Sequence, residues 1–305
     1  MTEGRLFKEV QMRTNSLSDR AIPWIVRICL ILLCVITIYP FWYVFIYSIS
    51  TGSAASSQQL IFLPVQVTIE NYESVFQNDR ILQAFFVSVA RTVLGTVLHL
   101  VVTGMAAYSL SKRDLIGRKW LIPFFVIPMY FSAGTLPYYV TITKLHLTNK
   151  FLVYILPTAY GVFNMLLMKV FFEQLPSSLE EAARIDGAND FQVFTQIVLP
   201  SCKPILATVA MYIGVDQWNS WFDTLLFISN KKLETLQSLL YKIILESQAT
   251  TIEQIMRMAQ MGGTSVTAEA VKMTTVIVAT IPILCVYPFL QKYFVKGMMI
   301  GAVKG

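Results

Sequence analysis

The chain has 305 residues, of which 55% are hydrophobic and 14% are charged, whereas about a quarter of the residues in a soluble domain are charged. The net charge of +6 does not indicate a nucleic-acid partner, because the basic residues flank apolar blocks instead of forming a stripe. Four cysteines without a CxxC pair and two histidines argue against a metal site or a disulfide framework. The apolar blocks predict an all-α integral membrane protein.

Six apolar blocks are long enough to cross a bilayer as helices, since one span needs about 20 residues. They cover residues 25–48, 84–110, 120–142, 151–172, 204–228 and 273–294. The first block follows a polar segment and lacks a small-residue cleavage site, so we expect a retained helix and not a signal peptide. Pro128 and Pro157 predict kinks in the third and fourth helices.

Lys and Arg residues are distributed unevenly between the two sides that six helices define. Of the 24 such residues, fifteen lie on the side of the two termini and eight on the other, while Arg91 lies inside the second helix. The termini are therefore expected in the cytoplasm. The expected organisation is a cytoplasmic segment 1–24, a first helix 25–48, a five-helix core 84–294 with an inner loop 173–203 and an outer loop 229–272, and a cytoplasmic tail 295–305.

The inner loop 173–203, called the charged loop below, predicts two short helices separated by a break. Ser177 and Glu180 have the spacing of a capping box, so a helix is expected to begin at Ser177. Gly187 is suited to end that helix in a left-handed conformation. Asn189 or Asp190 can cap a second helix.

Two prolines bound the end of the charged loop. Pro200 is expected to stop its second helix, and Pro204 to begin the fifth spanning helix. The first loop helix exposes Ala182 and Ala183 beside the Glu181 carboxylate, which suits close approach of a basic partner surface. An ordinary amphipathic loop that packs on the membrane domain explains the same pattern, and residue chemistry alone leaves both interpretations open.

The spacing of Glu181-Ala182-Ala183, Gly187, Ile197, Leu199 and Pro200 resembles the EAA motif of bacterial ABC importer permeases. The longer sequence from Glu181 to Pro204 begins with Glu-Ala-Ala-Arg-Ile-Asp-Gly-Ala and ends with Leu-Pro-Ser-Cys-Lys-Pro. It is similar to the carbohydrate branch of that family, the MalG-like permeases. Residues 91–112 and the tail 297–305 resemble the LplC-like oligosaccharide permeases. The resemblance covers roughly residues 60–305.

This resemblance implies a type I ABC importer (MetI-like) permease fold with six transmembrane helices in the bacterial cell membrane. It implies a second homologous permease subunit, an ATPase dimer on the cytoplasmic side and an extracytoplasmic solute-binding protein, with an oligosaccharide moved by alternating access. ATP and Mg would belong to the ATPase, because this chain contains no G-x-x-x-x-G-K-[ST] loop. No cofactor and no catalytic residue are therefore expected in this chain.

The residues expected to contact the ATPase belong to two segments. In the charged loop they are Glu180, Glu181, Ala182, Ala183, Asp186, Gly187, Ala188, Ile197, Leu199 and Pro200. In the C-terminal tail they are Gly301, Ala302, Val303 and Lys304.

Ionisable residues inside spanning helices usually face a cavity or a partner. Arg91 lies about 12 Å and Asp216 about 18 Å inside their helices at 1.5 Å per residue, so we expect them to face one polar cavity and to pair. Arg91 snorkelling to the membrane surface, or pairing with the second permease chain, is the alternative. Arg91 also favours an acidic oligosaccharide. His99 is expected to be a packing residue.

Alternating aromatic and polar groups in the fifth helix suit a sugar, whose apolar face stacks on rings and whose hydroxyls bond amides and carboxylates. The candidates for the substrate path are Arg91, Tyr212, Asp216, Gln217, Trp218, Asn219, Trp221 and Asp223. An interfacial aromatic belt is the alternative for the tryptophans. A secondary ion-coupled transporter and a non-transporting scaffold remain alternative functions. The first requires ion-binding carboxylates at mid-membrane, and the second requires a loop that only docks a partner.

Overall fold

The computed structural model describes residues 17–52, 55, 62–131, 133–248 and 266–302, of which 17–21, 246–248 and 289–302 are described by their backbone. These residues are helical or irregular apart from an isolated bridge between Ser50 and Val67. Within the described part of the chain, three helices are long and apolar enough to cross a membrane, and up to five spans result when each of two bent helix pairs counts as one.

The helices are numbered in chain order. They are α1 Leu17–Ser48, α2 Glu70–Phe76, α3 Asp79–Ser111, α4 Arg118–Val126, α5 Thr135–Lys144, α6 Val162–Phe172, α7 Ser177–Ile185, α8 Asp190–Ser201, α9 Lys203–Asn219, α10 Phe222–Phe227, α11 Leu236–Gln248 and α12 Ala268–Ala302. Short 3₁₀ turns occupy Ile127–Tyr130, Phe151–Tyr154 and Lys231–Leu233.

Three of the six expected helices are uninterrupted, namely those inside α1, α3 and α12. The expected helix 120–142 is broken into α4 and α5, which meet at 119°. The expected helix 151–172 retains only the 11 residues of α6, or about 16 Å. The expected helix 204–228 is interrupted at Ser220 and Trp221. Pro128 lies in a 3₁₀ turn and Pro157 in non-helical chain, so both mark departures from the α-helix.

The described residues divide into two compact units, one from 17–72 and 266–277, the other from 73–248 and 278–302. In the first unit, Ile46 and Tyr47 of α1 form a small core with Ala270 of α12. The Asn71 side chain donates to the backbone oxygens of Ser48 and Ser50 at 2.9 and 2.8 Å. The most apolar window of α1 is unburied in the described protein, so this surface faces lipid or another chain.

In the second unit α3 is the central helix. Its buried stripe recurs every three or four residues and is polar in its middle, at Ser88, Arg91, His99 and Thr103. Gly95 lies in the same stripe, and a Cβ atom there would come within 2.7 Å of Gln217 Nε2 on α9. The close contact between α3 and α9 therefore requires glycine at this position.

An apolar cluster occupies the end of the second unit that carries the charged loop. Tyr108 at the end of α3, Met165 and Met168 on α6, and Val193 and Phe194 on α8 are buried in it. The charged loop is thus built onto a packed core.

Candidate functional site

The first helix of the charged loop, α7, begins at Ser177 as expected, but the predicted capping box is wrong. Pro176 is the N-cap residue, and no side chain caps the helix. Glu180 instead forms an ion pair with Lys112 at the end of α3. A full positive charge is a stronger partner for a carboxylate than a backbone N–H group, which explains the difference.

The end of α7 confirms the predicted left-handed glycine. Gly187 has φ +87°, and its backbone N–H donates to the Arg184 oxygen at 3.1 Å. The Ala188 N–H donates to the Ala183 oxygen at 2.9 Å. This pair of bonds is a Schellman motif, and its two alanines both pack against the apolar cluster.

The second loop helix, α8, confirms Asn189 as its cap. The Asn189 side chain accepts from the Gln192 N–H, and the Gln192 side chain accepts from the Asn189 N–H, both at 2.9 Å. A π-helical turn covers Val193–Val198. The helix continues past Pro200 to Ser201 and then bends by 85° into α9, so Pro200 does not stop it. Pro204 lies in the first turn of α9 as expected.

The predicted ATPase-contact residues divide between two faces of the charged loop. The exposed ones are Glu181, Ala182, Asp186, Gly187 and Pro200. Ala183, Ala188 and Leu199 are partly buried against the apolar cluster, Ile197 is half-buried, and Glu180 is turned toward Lys112. In the tail, the backbone of Gly301 and Ala302 ends α12, while Val303 and Lys304 lie outside the described residues.

Arg91 is 1% exposed and pairs with Asp223, not with Asp216. Its Nη2 and Nη1 atoms lie 2.6 and 3.2 Å from the two carboxylate oxygens, and its Nε donates to Gln217 Oε1 at 2.9 Å. The guanidinium also lies 4.5 Å from the Tyr154 ring centroid. The expected pairing with Asp216 is therefore wrong, because the break at Ser220 and Trp221 releases Asp223 from helical spacing. A buried, neutralised Arg91 is no attractor for an acidic sugar.

The non-helical segment 155–161 runs beside the polar middle of α3, and its backbone groups need partners inside a membrane protein. His99 Nδ1 donates to the Thr158 oxygen at 2.6 Å, so His99 Nε2 is the acceptor for Asn164 Nδ2 at 2.9 Å. Gln217 Nε2 donates to the Tyr154 oxygen at 3.1 Å. The Gly161 N–H donates to Thr103 Oγ1 at 3.3 Å. His99 is thus a satisfied packing residue, as predicted.

Two faces of α9 separate the substrate-path candidates. Tyr212, Asp216 and Asn219 are exposed, and their spacing of four and three residues puts them on one face. This set is called the polar face below. Trp218 is 6% exposed and donates its indole N–H to the Ala279 oxygen at 3.0 Å.

The other candidates are engaged elsewhere in the second unit. Trp221 stacks on Tyr241 with ring centroids 4.1 Å apart. Gln217 and Asp223 bind Arg91. Of the eight predicted residues, the structure therefore leaves three together on an accessible surface.

Sequence reasoning missed Lys112 and Glu234. Glu234 is 3% exposed and is held by Arg80 at 2.8 Å and Lys242 at 2.6 Å. The available signal for the Lys242 pair was an acidic residue two positions before the apolar start of α11, with lysines close in sequence, but Arg80 is 154 positions away. Lys112 had no comparable signal, since it is one of four basic residues in its connection.

A charged two-helix loop attached to long apolar helices is the arrangement that the resemblance to ABC importer permeases implied. Residues 9–300 match the family described as binding-protein-dependent transport system inner membrane component. The chain belongs to this family and is a transport permease subunit, not an enzyme. The predicted resemblance to carbohydrate permeases is confirmed, and the family match begins earlier than residue 60.

Relatives and a solved structure resemble the chain over nearly its whole length. It is 38% identical to the polygalacturonan/rhamnogalacturonan transport system permease protein YtcP of Bacillus subtilis, covering 90% of this chain and 96% of YtcP. It is 38% identical to Protein LplC of the same organism, covering 88% and 90%. One chain in the crystal structure of a bacterial ABC transporter involved in the import of the acidic polysaccharide alginate matches with a TM-score of 0.84 and 30% identity, covering 92% and 98%. The MetI-like ABC permease fold is thereby established.

Proposed function

We propose that this chain is the permease subunit of an ATP-driven, binding-protein-dependent importer of acidic oligosaccharides. The observation that carries the proposal is the exposed face of α7 and its glycine cap. Glu181, Ala182 and Gly187 face solvent there, while Ala183 and Glu180 hold the helix to the apolar cluster and to Lys112. An exposed carboxylate beside small side chains suits a basic cleft on an ATPase. Exposed Ile185 and Phe191, which are 86% and 64% accessible, add apolar contact area.

The energy source is a separate chain. The sequence lacks a phosphate-binding loop, so ATP and Mg would be held by an ATPase dimer that docks on α7. A second, homologous permease subunit would complete the membrane domain. A solute-binding protein would deliver the sugar from outside. The tail residues Gly301 to Lys304 would form a second ATPase contact.

Six membrane crossings fit this assembly. The bent pair of α4 and α5 would be the third, the segment 155–161 with α6 the fourth, and α9 with α10 the fifth. The segment 1–24, the charged loop and the tail 295–305 would lie in the cytoplasm, as the distribution of Lys and Arg indicates. The loop 229–272 would lie outside.

The polar face of α9 is our candidate for the substrate path. Asp216 and Asn219 can bond sugar hydroxyls, and Tyr212 offers a ring and a hydroxyl. A polar face on an apolar helix is costly unless it lines water or meets a partner. Support for an acidic sugar comes from YtcP and the alginate transporter and not from Arg91.

The test is reconstitution of the complex in nanodiscs with the ATPase, the second permease and the binding protein. We expect ATP hydrolysis that rises when the binding protein carries an oligogalacturonide. Glu181→Ala should abolish most of this rise without lowering the yield of assembled complex. Asp114→Ala, an exposed carboxylate on the neighbouring connection, is the matched control and should retain the rise. Sugar uptake driven by an ion gradient without the ATPase would contradict the proposal and indicate a secondary transporter.

A further inference from the structure

The attachment of α7 to the rest of the second unit is sparse. No residue of this helix is buried. Its C-terminal end is fixed by the Schellman motif, through which Ala183 and Ala188 reach the apolar cluster. Its N-terminal half is fixed by the ion pair between Glu180 and Lys112. Arg184 adds an exposed ion pair with Asp190 of α8 at 2.9 Å, whereas the pair between Glu180 and Lys112 connects α7 to the end of α3.

Lys112 is held in place by contacts with the last turn of α3 as well as by Glu180. It is the C-cap residue of α3, and its N–H donates to the Ser109 oxygen. Its Nζ lies 4.1 Å from the centroid of the Tyr108 ring, and Tyr108 packs on Phe194 with centroids 5.1 Å apart. The Lys112 and Glu180 side chains are 23% and 17% exposed. A pair shielded to this degree is screened less by salt than a surface pair.

The same helix is also bound at its middle. Arg91, 21 residues before Lys112 and therefore about 32 Å away along the axis, bonds Gln217 of α9 and Asp223 of α10. No proline interrupts α3 between these two positions. One continuous helix thus connects the first helix of the charged loop to the interruption between α9 and α10.

We propose that Lys112 is a positioning residue for energy coupling. Through Glu180 it joins α7 to α3, so that a displacement of α7 by the ATPase reaches the Arg91–Asp223 pair and the adjoining polar face. The inference rests on the proposed function. The two adjacent glutamates then have separate roles. Glu181 faces the ATPase, and Glu180 transmits the movement within this chain.

The test is a charge exchange in the reconstituted complex. Lys112→Glu and Glu180→Lys each place two like charges together, and the double variant restores an opposite pair. We expect each single variant to lower hydrolysis stimulated by the binding protein about three- to fivefold, the range that a pair of this exposure supports. The double variant should recover at least half of the wild-type stimulation. Transport per ATP hydrolysed should follow the same order.

The matched control is Lys169→Glu. Lys169 pairs with Glu173 at 2.8 Å, with side chains 12% and 28% exposed, and neither residue belongs to α7. Lys169→Glu should leave the stimulation within about twofold of wild type, because the Lys169–Glu173 pair does not join α7 to α3 and Glu173 keeps its pair with Arg118 at 2.6 Å. If a reversal prevents assembly, Lys112→Gln removes the charge without repulsion and should still lower the stimulation.

A double variant no better than the weaker single variant, or a control effect of equal size, would overturn the role of Lys112. Those results leave the proposed function intact as long as the wild-type complex responds to the binding protein. Absence of any response in the wild type would overturn both.

Discussion

The Arg91 guanidinium and the Asp223 carboxylate face each other through two bonds of 2.6 and 3.2 Å. Arg91 is 1% exposed and Asp223 is 16% exposed. A charge buried to this degree is stable only while its partner is present. The pair therefore fixes α10 to α3 across the interruption at Ser220 and Trp221, and its loss has a predictable cost.

Asp223→Asn should destabilise the folded protein by about 3 kcal/mol, the lower part of the range for removing one partner of a buried pair. The measurement is the apparent melting temperature of the purified protein in nanodiscs. Asp216→Asn is the matched control, because Asp216 is exposed on the preceding helix α9, and should change stability by less than about 0.5 kcal/mol. Equal effects of the two substitutions would contradict the assignment of Asp223 as the partner.

Gly95→Ala should lower stability by about 1–3 kcal/mol, although alanine is the better helix former. The added methyl group would lie 2.7 Å from Gln217 Nε2 and displace the side chain that bonds Arg91. Gly214→Ala tests the opposite case, since its nearest side-chain neighbour is at 3.6 Å. This second variant should be neutral or slightly stabilising. A neutral Gly95→Ala in the same melting experiment would show that the close contact is dispensable.

Gly187→Ala should cost about 1–2 kcal/mol locally, because the left-handed conformation is unfavourable for a residue with a Cβ atom. No atom lies within 4 Å of that Cβ, so the cost is confined to the backbone and the end of α7. We expect a reduced hydrolysis response to the binding protein, with Gly187→Asn less affected. Gly117→Ala is the control at another open, left-handed glycine, φ +77°, and should retain the response.

Trp218 and Asn219 are adjacent in sequence and should respond differently. Trp218→Phe removes the hydrogen bond to Ala279 and should lower stability by about 1 kcal/mol. Asn219→Ala removes an exposed amide from the polar face and should lower sugar transport at unchanged stability. Transport assays and melting curves on the same preparations separate the two effects. Normal transport by both Asn219→Ala and Asp216→Asn would exclude the polar face from the substrate path.

Local signals in the sequence predicted the charged loop well. The left-handed Gly187, the Asn189 cap and the start of α9 at Pro204 each depend on neighbouring residues, and the structure contains all three. The capping box at Ser177 was wrong because its glutamate has a partner 68 positions away in sequence. Short-range chemistry is readable from the chain, whereas competition from distant residues is not.

The interior of the second unit was less predictable for the same reason. Depth along the helices suggested Asp216 as the partner of Arg91. The actual partner, Asp223, reaches Arg91 because the helix is interrupted at Ser220 and Trp221, and neither residue is a glycine or a proline that would have signalled the interruption. The segment 155–161 contains Pro157, but its backbone bonds to other elements go to His99 and Thr103 of α3, while Gln217 of α9 bonds the carbonyl of the preceding Tyr154. Hydropathy identified the apolar segments of the chain. It could not show which side chains bond the backbone groups of a non-helical segment inside the membrane.

The bonds around segment 155–161 also order the events of biogenesis. His99 and Thr103 leave the ribosome before this segment, but Gln217 leaves it after the segment and after the whole charged loop. Until Gln217 arrives, the Tyr154 carbonyl accepts from the Thr158 hydroxyl at 3.2 Å but lacks its second donor, which comes from α9. The newly made chain can therefore satisfy the backbone of this stretch from α3 and from Thr158 first, and insertion of α9 adds the last bond.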